Sequence, residues 1–93
     1  MIKVKFFTLL RLYLDIDELD IEADQVNVRS LLDMVCEKIG NEMVHKKLLD
    51  ADGSLLTGTI ILKNGHDILH MDELDTIIEN GDSVSLFTPG GGG

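Results

Sequence analysis

Tryptophan is absent, and the aromatic residues are limited to three Phe and one Tyr. A core built from this chain must therefore be mostly Leu, Ile, Val and Met. There is one cysteine, Cys36, which excludes an intramolecular disulfide and fits a reducing, cytoplasmic setting. No apolar run approaches the length of a membrane span. The N-terminus, Met1-Ile2-Lys3-Val4, enters a strand pattern at once and lacks the apolar stretch of a signal peptide. Positive charge is scarce: 8 Lys and Arg stand against 17 Asp and Glu, for a net charge of −9. Such a surface repels nucleic-acid phosphates. It favours a basic protein partner, with electrostatics acting mainly on the encounter rate, or it serves only solubility. A GxxxxGK phosphate loop is also missing, so the chain is not expected to activate its own C-terminal end.

What is present fits one domain of 93 residues, 44% apolar. Ile2 to Thr8 reads as a strand, with Ile2, Val4 and Phe6 on one face and Lys3, Lys5 and Phe7 on the other. Asp15 to Ala23 reads as a second strand, in which Asp17, Leu19, Ile21 and Ala23 alternate with an acidic outward set, Glu18, Asp20 and Glu22. The link between them, Leu9 to Leu14, is apolar for a turn and reads as a partial extension of strand one. Val28 to Ile39 has helical spacing of Val28, Leu31, Leu32, Val35 and Ile39, with Asn27 as N-cap and Gly40 at the stop. Glu42 to Leu49 reads as a shorter helix, and Asp50-Ala51-Asp52-Gly53 as a turn, since the further ligands of a calcium loop are missing. Thr59 to Lys63 is an apolar strand of the central kind, and Asn64-Gly65 turns it into a return strand, His66 to Leu69. Asp72 to Ile78 reads as a connection with a helical turn. Asn80-Gly81-Asp82 then leads into a last strand, Ser83 to Thr88.

Pro89, Gly90, Gly91, Gly92 and Gly93 close the sequence. Residues 1–88 read as the folded domain and 89–93 as a tail. Glycine has no side chain to bury and loses the most backbone entropy on ordering, so the tail is expected to be mobile on the ps–ns scale. Lacking Cβ atoms, it could thread a narrow channel and present a terminal carboxylate. That carboxylate is a poor electrophile until adenylated. It can then take a sulfur nucleophile, giving a thiocarboxylate, or a cysteine thiol, giving a thioester. The plain alternative is a frayed terminus.

Asn64-Gly65-His66-Asp67-Ile68, Leu74-Asp75-Thr76, Asn80 to Phe87, Pro89 and the final Gly92-Gly93 together resemble the MoaD/ThiS family of sulfur carriers. The opening Ile2 to Phe7, with Leu10-Arg11 beyond, and the helix from Val28 resemble it too. The resemblance implies an α+β fold, a ubiquitin-like β-grasp: a mixed sheet with one main helix packed across one face, and first and last strands parallel. It implies a carrier rather than an enzyme. Gly93 would be activated by a ubiquitin-activating-type adenylyltransferase that consumes ATP, with no cofactor or metal bound by the chain itself. The segment between main helix and third strand is long for a ThiS protein, which points to MoaD. The sulfur acceptor would then be a pterin precursor on the large subunit of molybdopterin synthase. Thiamine or cysteine pathways, or conjugation to proteins as a ubiquitin-like modifier, use the same glycine. One departure stands out: Thr88-Pro89-Gly90-Gly91 replaces the more apolar residues such carriers have before Gly-Gly.

If the first and last strands are parallel neighbours, Phe7 and Phe87 share the face that the helix leaves uncovered, near the exit of the tail. They are the expected partner anchor, unless Leu9 to Leu14 folds over them. Other candidates are weaker. Cys36 reads as a small buried residue with no activating neighbour in sequence. His66 and His70, with Asp67 and Asp72, lack a third converging ligand. His45-Lys46-Lys47 reads as a solvated helix face.

Overall fold

The computed structural model describes residues 1–89. The alternation in the opening segment becomes β1 (Ile2–Phe7). Its inward set, Ile2, Val4 and Phe6, is buried in the core. β1 runs antiparallel to β2 (Glu18–Ile21) on one side and parallel to β7 (Ser83–Phe87) on the other. β7 pairs antiparallel with β4 (Ile60–Lys63), and β4 with the two-residue β5 (His66–Asp67). The sheet order is β2-β1-β7-β4-β5. The first and last strands of the chain are thus parallel neighbours, in the register Lys3 to Ser83 through Phe7 to Phe87.

The main helix, α2, spans Val28–Ile39, as its spacing requires. The Asn27 side chain accepts from the Ser30 N–H at 2.8 Å, and Gly40 closes the helix at φ 75°. Val28, Leu31, Leu32 and Val35 pack with Val84, Leu86 and Ile61 in a single core cluster. The absence of Trp is met by interlocking aliphatics around one buried Phe, Phe6.

Four expectations need correction. Leu9 to Leu14 neither turns nor prolongs the strand: Thr8–Leu14 is a helix, α1. It delivers Leu10 to the core and packs against the short helix α3 (Met43–Leu48). Asp15 then stops it in the left-handed conformation, φ 55°, so β2 starts only at Glu18. Ile77–Glu79 is not connection but strand β6, paired antiparallel with β3 (Gln25–Asn27) in a separate ribbon. That ribbon buries Ile78 beneath the start of α2, whose Val28 N–H donates to Thr76 O at 3.0 Å. The helical turn expected between Asp72 and Ile78 is the 3-10 turn Glu73–Asp75. The return strand is shorter than His66 to Leu69, because Asp67 caps a 3-10 turn, Ile68–His70, that buries Ile68.

The two turn signals form one knot. Asn64 Nδ2 donates to Asp82 Oδ1 at 2.9 Å, and Asn64 Oδ1 accepts from Ser83 N–H at 2.9 Å. Asp82 Oδ2 accepts from Glu79 N–H at 2.7 Å, with Lys63 Nζ at 3.9 Å. These bonds and the nearby ion pair hold Asp82 below the usual carboxylate range: first the Glu79 backbone N–H, then the Asn64 amide, with the Lys63 charge adding to them.

Candidate functional site

The parallel pairing of β1 and β7 brings Phe7 and Phe87 side by side at the ends of their strands. Their rings are stacked, with centroids 4.6 Å apart and planes 9° from parallel. Such an offset pair adds about 1 kcal/mol beyond the area it covers. Both residues remain part-exposed, although α1 follows Phe7 directly, buries Leu10 and touches β1, β7 and α3. The Leu9 to Leu14 segment therefore does not seal the rings.

Sequence reasoning missed a third member of this patch. Ile60 lies opposite Phe87 in β4 and is 43% exposed. Its apolar strand looked buried on both faces, but only Ile61 points into the core. The signal was the ordinary two-residue alternation, hidden because both alternating residues are isoleucines. Further along the open face lie Ser83, Ser85, Lys3 and Lys5, then the acidic β2. Lys3 Nζ sits 3.1 Å from Glu18 Oε2, so the negative outward face expected of β2 is partly neutralised. Glu18, by its hydrogen bond and its charge, holds Lys3 above its ordinary pKa.

Next to the aromatic pair the chain is tied before Pro89. Thr8 Oγ1 donates to Phe7 O at 2.6 Å, accepts from Thr88 N–H at 3.1 Å and lies 2.8 Å from Thr88 Oγ1. A threonine hydroxyl has one proton and two lone pairs. With its proton on Phe7 O, Thr8 must accept from the Thr88 hydroxyl, so all its capacity is used. Thr88 is 6% exposed. Thr8 makes these bonds at φ 56°, a strained conformation for a β-branched residue. Three hydrogen bonds on one oxygen hold it there, and they tie the end of β7 just before Pro89. No feature of the sequence announced this clamp. Gly90, Gly91, Gly92 and Gly93 lie outside the described residues, as does the expectation that they are mobile.

The remaining candidates fall elsewhere. Cys36 is 5% exposed on α2, as expected of a small core residue. Burial first, then the neighbouring Glu42 and Asp33, push its thiol up to about 11, with a backbone hydrogen bond from His45 opposing them. Burial and the two carboxylates thus disfavour the thiolate that a nucleophile needs. The basic triplet disperses: Lys47 sits 4.6 Å over the Tyr13 ring, while His45 faces Asp33 and Glu42. Among the described residues, the donors that converge are Cys36, Glu42 and His45, not His66 and His70.

The ThiS family matches residues 4–93. The chain belongs to this family. Its relatives are ubiquitin-fold sulfur carriers and small modifiers. A protein of Archaeoglobus fulgidus named as a sulfur carrier is 29% identical over 76 residues, covering 82% of this chain and 84% of that one. Small archaeal modifier protein 3 of Haloferax volcanii is 40% identical over 42 residues. That match spans only 45% of this chain and 46% of the relative, less than half of each. The solution structure of small archaeal modifier protein 1 from Methanosarcina acetivorans superposes with a TM-score of 0.76 at 27% identity, covering 99% of this chain and 95% of that one.

Proposed function

We propose that this chain is a sulfur carrier that works through the carboxylate of Gly93, docked on its partners through Phe7, Phe87 and Ile60. The observation that carries the reading is the stacked Phe7–Phe87 pair beside the Thr8–Thr88 clamp. It sets an apolar anchor next to the root of a segment with no Cβ atoms between Pro89 and its end. A ubiquitin-activating-type enzyme binds ATP beside the Gly93 carboxylate. The Gly93 carboxylate attacks the α-phosphorus and pyrophosphate leaves. A sulfide-level sulfur nucleophile then attacks the acyl carbon, the bond to AMP breaks, and a thiocarboxylate remains. The chain contributes reach, anchoring and an unhindered carbonyl, and its partners do the chemistry. Its net charge of −9 suits basic partners and a fast encounter. The setting proposed is the cytoplasm.

The acceptor proposed is a pterin precursor held by the large subunit of a molybdopterin synthase. The basis is the MoaD-like length between α2 and β4, which folds as α3 and the turn after it. Thiamine and cysteine pathways are the other sulfur sinks of this chemistry. A second reading, conjugation of Gly93 to protein lysines, is favoured by the 40% identity with an archaeal modifier over 42 residues.

Deleting Gly92 and Gly93 tests the shared step. The deletion shortens the reach by roughly 7 Å, far beyond the tolerance of an attack geometry. Adenylation should be lost while the unfolding midpoint stays where it is. A truncated chain that is still adenylated would rule the reading out.

A further inference from the structure

A second site lies on the helical side of the fold, at the corner where α2 stops at Gly40 and α3 begins. Cys36 Sγ, a Glu42 carboxylate oxygen and a His45 ring nitrogen all lie within 4.8 Å of one another. They line one cleft of about 520 Å³ together with Asp33, Glu37, Gly40 and Asn41. His45 Nδ1 is 3.1 Å from Glu42 Oε2, and its Nε2 is 2.8 Å from Asp33 Oδ1. The Gly40 turn, at φ 75°, is what folds α3 back so that His45 reaches a cysteine nine positions earlier.

Both ring nitrogens thus face carboxylate oxygens. An imidazolium would donate to both carboxylates, whereas a ring with one N–H keeps a lone pair on its other nitrogen. With Nε2–H donating to Asp33, the Nδ1 lone pair, the Glu42 carboxylate and the Cys36 sulfur are free to share a cation. That is the arrangement in which a carboxylate orients a histidine that ligates a metal. The donor set of one sulfur, one imidazole nitrogen and one carboxylate oxygen is that of a borderline-soft divalent ion.

We propose that Cys36, Glu42 and His45 form a zinc(II) site, with Asp33 as the residue that positions His45 and water in the fourth place. On binding, the Cys36 S–H bond breaks, its proton passes to solvent and a sulfur–zinc bond forms, with no change of oxidation state. Zinc there pins α3 to α2 and stabilises the folded chain in proportion to its affinity. The site is independent of the tail and of the sulfur-carrier reading.

Cobalt(II) titration of the reduced, chelator-treated full chain tests it, with zinc as competitor. One cobalt per chain should bind, with a sulfur-to-cobalt charge-transfer band in the near ultraviolet that zinc abolishes. Zinc should also raise the unfolding midpoint. Cys36→Ser should remove the band, and Asp33→Asn should weaken zinc binding about 10- to 100-fold while keeping it. If Cys36→Ser does not fold, His45→Gln carries the test, with zinc affinity falling by more than about 100-fold. Cobalt binding without the sulfur band, affinity unchanged in His45→Gln, or no stoichiometric binding by the parent chain would each overturn the proposal.

Discussion

Thr8 and Thr88, 80 residues apart, share a hydroxyl hydrogen bond of 2.8 Å, and the Thr8 oxygen also takes the Thr88 N–H. The strained φ of Thr8, 56°, is the local cost of that clamp. Thr8→Val keeps the branched shape and removes the oxygen. It leaves a buried backbone N–H without its partner, which costs about 1–2 kcal/mol. Urea unfolding should show that loss, and hydrogen exchange should show earlier exchange at the Thr88 amide. Unchanged protection at Thr88 would mean that the clamp is not what holds the strand end.

Phe87 is part-exposed and stacked on Phe7, so its two roles separate. Phe87→Ala should weaken binding to the activating or acceptor enzyme by about 1–3 kcal/mol, the range of an interface anchor. The circular dichroism spectrum and the fold should remain. Loss of folding would assign the ring to the core instead.

Asp82 gives a pH dependence. Its folded pKa is depressed, so the stability it contributes is present above the unfolded carboxylate value, about 3.9. That contribution is lost as pH falls through the lower folded value. Unfolding free energy should therefore drop on acidification below about pH 4, and Asp82→Asn should flatten part of that slope. At neutral pH the same variant should be about 1–2 kcal/mol less stable, because hydrogen bonds to an ionised carboxylate from Glu79 and Asn64 are weakened. A variant with the parent's acid slope would show that the turn knot does not depend on this charge.

How far the sequence carried the fold can be seen by comparing α2 with α1. Val28–Ile39 has apolar spacing, a capping Asn and a stopping Gly, all local signals that agree, and the helix forms over those residues. Thr8–Leu14 has apolar residues in almost every position, no side-chain cap, and a stop supplied by Asp15 rather than Gly. Its helicity is decided by burial of Leu10, a tertiary fact. The β3–β6 ribbon is three residues on each side, too short for alternation to register. At the candidate site, strand parity and the family resemblance brought Phe7 and Phe87 together. Ile60 and the Thr8 clamp arise from register across strands, which no single segment displays. The approach of His45 to Cys36 depends on the turn at Gly40 and was invisible along the chain.

The most direct measurement is the intact mass of the chain after incubation with a ubiquitin-activating-type enzyme, ATP and a sulfur source. Replacement of one oxygen by sulfur at the Gly93 carboxylate adds about 16 Da. The account predicts that shift on the free chain, and its absence when Gly92 and Gly93 are deleted. Larger species in which Gly93 is joined to protein lysines, without the shifted free chain, would mark a modifier. An unchanged mass with a competent activating enzyme would contradict the central claim.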